Sequence, residues 1–147
     1  MKTLSLVAQS NIDYLSSFLK LRLADNSTVK HRDTNNNIVY VDCDIYTKDM
    51  LQSFLILALS DFNQVPKFTN YSFDDSDFVE RFAAILVDGA VLYCLSSRAL
   101  IERGREFTIH DSGVSFYPPS ISEMLNTQYS ILFANYWDKL KLIKSAL

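Results

Sequence analysis

His110, Asp111 and Ser112 are the residue types of a base, an orienting carboxylate and a nucleophile, and they stand side by side in the chain. That adjacency argues against catalysis, because a triad lines up side chains brought from separate elements and consecutive turn residues cannot do this. Asp74, Asp75, Asp77 and Glu80 gather carboxylates in one short stretch. Their spacing lacks the glycine and the distal glutamate of a calcium loop, so the expectation is charge at the start of a helix. His31 and His110 have no carboxylate–histidine pair at helical spacing beside them, and Cys43 and Cys94 form no C-x-x-C. Neither pattern predicts a metal site. Arg98, Arg103 and Arg105 followed by Phe107 have the types of a nucleic-acid contact. A net charge of −3 and an isoelectric point near 5.3 weigh against holding phosphates, and pairing with Glu102 or Glu106 is the better expectation. These residues therefore predict no catalytic, cofactor or metal site, and a chain that is not an enzyme.

The elements that would position these residues are long helices. The 147 residues suit one domain with a real core, and 48% are hydrophobic with only three glycines and three prolines. Ile12, Leu15, Leu19 and Leu23 recur at helical spacing, predicting a first helix over residues 10–23. Residues 26–37, NSTVKHRDTNNN, lack periodicity and read as a mobile polar loop. Residues 38–43, IVYVDC, predict a short strand. Thr47 should cap a second helix that ends by Asn63 and is apolar over most of its circumference, so it must be sandwiched. Val65 to Ser76, with Phe68, Tyr71 and Phe73, should lie flat on the body. A third helix is expected from Ser76 to Arg103, with Gly89 inside it to admit a close neighbour and Gly104 as its C-terminal cap. Ser120-Ile-Ser-Glu123 is a capping box for a fourth helix running towards Leu147.

The apolar run of residues 83–95 contains Asp88 and is shorter than a membrane span requires. The stretch from Leu4 to Ala8 is shorter than the apolar core of a secretory signal and reads as the lead-in to a helix.

Residues 105–117 predict a β-hairpin between the two long helices. A four-residue loop, His110 to Gly113, would pair Ile109 with Val114 and Phe107 with Phe116, with Gly113 in a left-handed conformation. Two strands alone are marginal in water, so this hairpin needs a partner. The fold expected is thus mainly α: a single helical domain of about four helices, with two long C-terminal helices joined by a β-hairpin and a short strand near 38–43. The candidate interface residues are Phe107, Ile109, Val114 and Phe116 on the hairpin and Arg103 and Arg105 at its base. Tyr129, Phe133 and Trp137, with Tyr136, complete them as either a second core face or an oligomer contact on the fourth helix.

Residues 102–144, ERGREFTIHDSGVSFYPPSISEMLNTQYSILFANYWDKLKLIK, resemble a recurring C-terminal pattern in virion structural proteins of tailed bacteriophages, the crAss-like group among them. The preceding helix, with Gly89 inside it and Pro66 upstream, is similar as well. The resemblance covers about the second half of the chain and implies a head–tail joining protein: an adaptor or ring subunit between portal and tail, forming a twelve-fold homo-oligomer. It implies portal and tail proteins as partners, a virion location after assembly in the host cytoplasm, no membrane, and a lumen that DNA traverses without specific binding. The other reading is a small cytoplasmic regulatory or binding module, with the hairpin folded back on its own helices.

Overall fold

The computed structural model describes residues 3–24, 28–42, 45–105, 109–111, 113–116 and 121–147. Four helices carry the core: α1 (Leu6–Arg22), α2 (Lys48–Gln64), α3 (Ser76–Arg105) and α4 (Ile121–Ser145). Two antiparallel hairpins are inserted between them, β1 (Thr28–Arg32) with β2 (Ile38–Asp42), and β3 (Ile109–Asp111) with β4 (Val114–Phe116). The mainly helical class is as expected.

The helix starts are local chemistry. Ser5 accepts the Ala8 N–H at 3.0 Å and opens α1 at Leu6, four residues before the expected Ser10. Thr47 accepts the Met50 N–H at 3.3 Å, as its position before an apolar run predicts. Asp75 accepts the Phe78 N–H at 3.1 Å, so one of the clustered carboxylates is a cap for α3. Ser120 lies outside the described residues, while Glu123 of its capping box stands in the first turn of α4.

α3 is the hub. It packs on α1, α2 and α4, and its contact with α4 is the most extensive in the molecule. Phe78, Val79, Ile85, Leu86, Ala90, Val91 and Cys94 of α3 are buried with Ile12, Leu15 and Leu19 of α1, Leu55, Ala58 and Phe62 of α2, and Tyr136 and Leu140 of α4. By length and composition residues 76–104 of α3 could cross a membrane, contrary to the shorter run expected from sequence; half of the apolar window is buried within the bundle. The α3 backbone leaves helical angles at Phe82 (φ −112°, ψ 17°), beside an aromatic cluster in which Tyr71 stacks on Phe78 at 4.4 Å.

Gly89 decides how closely the helices approach. A Cβ built there would lie 3.1 Å from the Ala58 Cβ, 3.2 Å from the Tyr136 hydroxyl and 3.3 Å from its ring. Removing the methyl group lets side chains from α2 and α4 converge on one point of α3.

Four expectations are corrected. Residues 28–32 lie in a strand paired with β2, not in a polar loop. The chain reverses between them where Asp33 accepts the N–H groups of Asn35 and Asn37, each at 2.9 Å, and Asn36 takes φ +64°. Gly104 lies inside α3, which runs on to Arg105, rather than capping it. Phe68 is 87% exposed, while Tyr71 and Phe73 lie against the body as expected. In the second hairpin Ile109 pairs with Phe116 and Asp111 with Val114, a tighter reversal than the expected pairing of Ile109 with Val114. Gly113, at φ +82°, supplies the left-handed residue that such a turn needs.

The two helical glycines predict opposite outcomes. Gly89→Val should cost about 1–3 kcal/mol by overpacking. Gly104→Ala, whose new methyl meets nothing within 4 Å, should add about 0.5–1 kcal/mol by raising helix propensity. Urea unfolding of the two variants checks both signs.

Candidate protein-contact surface

Tyr129, Phe133 and Trp137 follow one another at four-residue spacing on α4 and form a ladder. Tyr129 and Phe133 stack with centroids 5.9 Å apart and planes 12° apart, and Phe133 and Trp137 with 6.3 Å and 9°. The Lys141 ammonium extends the ladder, 5.3 Å from the Trp137 ring centre. Tyr129 and Trp137 pack partly against the core, whereas Phe133 is exposed. The ladder is thus a border strip, core on one edge and surface on the other.

The remaining site expectations are divided. Arg103 is exposed at the end of α3. Arg98, one turn earlier, pairs with Glu102 at 2.6 Å, as charge balance predicts. Phe107, and the side chains of Arg105, Ile109, Val114 and Phe116, lie outside the described residues. Tyr136 is buried against Gly89, so it belongs to the core face rather than to the surface one.

Sequence reading missed three surfaces. On α1, Val7, Tyr14 and Leu21 fall at seven-residue spacing with Phe18 beside them, and all four are exposed. On α4, Met124, Ile131 and Leu142 are also exposed, and at 100° per residue they share a sector away from Tyr136 and Leu140. On β2, Ile38, Val39, Tyr40 and Val41 are four consecutive exposed apolar residues. The signal for this last surface was present: an apolar run without alternation puts apolar residues on both faces of a ribbon, and one hairpin cannot bury both. On the helices, the expected core stripes drew attention from the second stripes beside them.

A cleft opens between α3 and α4 next to the ladder. It has a volume of about 130 Å³, with Gly89 and Tyr136 on its floor and Asp61, Tyr93, Tyr129 and Phe133 around it. The Tyr93 hydroxyl donates to Asp61 Oδ2 at 2.5 Å. Burial, the hydrogen bond to Asp61 and that residue's charge push the Tyr93 phenol well above its usual range. Burial, with the charges of Asp61 and Asp88, pushes Tyr136 up to about 12. Both phenols are therefore neutral at ordinary pH. Among the described residues, no group of three His, Cys, Asp or Glu side chains could hold a metal ion.

Lys144 is fully buried. Its ammonium donates to the Phe62 carbonyl in the last turn of α2 and to the Thr69 hydroxyl at 2.6 Å, and lies 4.7 Å from the Phe62 ring centre. Burial first, and the charge of Lys67 second, lower its pKa. Because these groups occupy the ammonium in closing a helix end, its role is structural.

Comparison with family models, with curated proteins and with solved structures finds no match to this chain.

Tyr136 sets an alkaline limit on stability. Its folded-state pKa lies above the ordinary value of 10.0. Its stabilising contribution is therefore complete below about pH 10 and is lost as pH rises through about 12. Unfolding free energy should fall above pH 10, and in Tyr136→Phe it should fall less steeply, by about 3 kcal/mol at the limit. Denaturant titrations of the two proteins across that range measure the difference.

Proposed function

We propose that this chain is a non-enzymatic structural subunit that assembles head to tail with copies of itself, as a connector ring between the portal and tail of a phage particle. The observation that carries the assembly reading is that one sector of each of two unlike helices holds exposed apolar residues, Val7, Tyr14, Phe18 and Leu21 on α1 and, more widely spaced, Met124, Ile131 and Leu142 on α4. Large exposed apolar patches mark contact sites. Two different faces on one subunit suit a heterologous contact, in which the α1 face of one copy covers the α4 face of the next, and such contacts make a ring when the rotation between copies closes. The exposed β1–β2 hairpin is an arm with apolar residues for a further neighbour. The place in a phage particle rests on the likeness of residues 102–144 to phage joining proteins. An acidic net charge of −3 suits a lumen that DNA must pass without sticking.

The competing reading, a cytoplasmic regulatory module, expects a compact monomer or dimer. Leu21 and Ile131 are 69% and 53% exposed, so Leu21→Lys and Ile131→Lys should fold normally. Native mass spectrometry should find oligomers for the parent chain and monomers for each variant alone. Mixing the two variants should yield a one-to-one dimer, because each retains the face the other has lost. A monomeric parent chain would defeat the proposal, and so would assembly that ignores both substitutions.

A further inference from the structure

The cleft beside the ladder combines features that assembly does not require. Four aromatic residues from two helices, Tyr93 of α3 and Tyr129, Phe133 and Tyr136 of α4, line one cleft with Asp61 from α2, and the Tyr93 hydroxyl reaches the Asp61 carboxylate. No lysine or arginine is among the described residues that line it. Aromatic faces carry negative charge density and attract cations, quaternary ammonium groups above all. The Asp61 carboxylate is the acidic group of the cleft, and the Tyr93 hydroxyl donates to its Oδ2. Burial holds the Tyr93 and Tyr136 phenols above their usual range, so these two rings meet a cation in neutral form.

Size narrows the ligand. A volume of about 130 Å³ is well below the ~300 Å³ at the lower end of drug-sized sites. It takes a head group rather than a whole cofactor. Gly89 and the buried ring of Tyr136 make a rigid floor, while Phe133, 43% exposed, and exposed Ser96 leave the mouth open to solvent.

We propose that this cleft is an aromatic cage for an alkylammonium head group, held by Asp61 and the rings of Tyr93, Tyr129, Phe133 and Tyr136. A free small amine and the tip of a partner's lysine present the same chemistry, and binding requires neither of the apolar stripes.

Titration of the full chain, followed by amide chemical shifts, tests this with four probes. These are choline, its uncharged isostere 3,3-dimethylbutan-1-ol, and a short capped glycine-flanked lysine peptide in unmodified and trimethylated forms. Choline should shift the amides of the cage residues, and the uncharged isostere should bind about tenfold more weakly. Asp61→Asn, which retains an acceptor for Tyr93, and Phe133→Ala, at an exposed position, should each weaken choline about tenfold without changing the far-ultraviolet spectrum. A peptide that binds tighter than choline identifies a partner's lysine as the source, and the reverse identifies a free amine. Equal affinity for choline and its uncharged isostere would overturn the cage, as would cations that leave these amides unmoved. The Leu21→Lys variant should bind choline like the parent chain, which separates failure of the cage from failure of assembly.

Discussion

The structure depends on how closely three helices meet at Gly89. Ala58 of α2 and Tyr136 of α4 both approach the place where a side chain would stand on α3. Helix axes usually lie ~8–10 Å apart, set by the side chains at the contact. A glycine and an alanine facing each other at one crossing favour a close approach. The close crossing also brings Asp61 of α2 within reach of the Tyr93 hydroxyl and leaves the ladder beside the cleft instead of over the core. Packing and site therefore share one cause.

A second tie secures the C-terminal end of α2. The carbonyl groups in the last turn of a helix lack intrahelical partners. Here the Lys144 ammonium takes the Phe62 carbonyl, while Asn63 accepts the Tyr71 N–H at 2.9 Å and donates to the Tyr71 carbonyl at 2.8 Å. The segment after α2 is thereby folded back so that Tyr71 stacks on Phe78. A buried lysine would be costly if its ammonium were isolated. The negative end of a helix, a hydroxyl and an aromatic ring together offset that cost. Because Lys144 lies at the far end of α4, this contact also fixes where the C-terminal helix finishes against the bundle.

What was legible in the sequence follows from the range of each interaction. Thr47 and Asp75 are local caps that act within three residues, and their neighbourhoods suffice to read them. Gly89 was legible as a place of close approach, but its neighbours, Ala58 and Tyr136, are set by the fold. The strand at residues 28–32 was not legible, because its stability comes from pairing with residues 38–42 and its own composition is polar. The Asp61–Tyr93 contact joins residues 32 positions apart on different helices, so no local pattern announces it. Phe68 shows the opposite failure: an aromatic among aromatics reads as core, yet nothing in the loop obliges each of them to face inward.

The surface of α4 ties these strands together. Tyr136 and Leu140 face the bundle, Tyr129, Phe133 and Trp137 mark its border, and Met124, Ile131 and Leu142 lie beyond it. A helix that is apolar around most of its circumference has to be covered from more than one side. The bundle covers one sector. The stacked ladder reduces exposure of the next by putting ring on ring, with Lys141 over the last of them. Among the described residues nothing covers the third sector to the same extent: Leu142 is 73% exposed and Met124 68%. Leaving that surface in water costs roughly 25 cal/mol for each Å² left uncovered. The same helix therefore divides its circumference between a buried core sector, a stacked aromatic border and an exposed apolar sector, and Tyr136 fixes the first of these against Gly89.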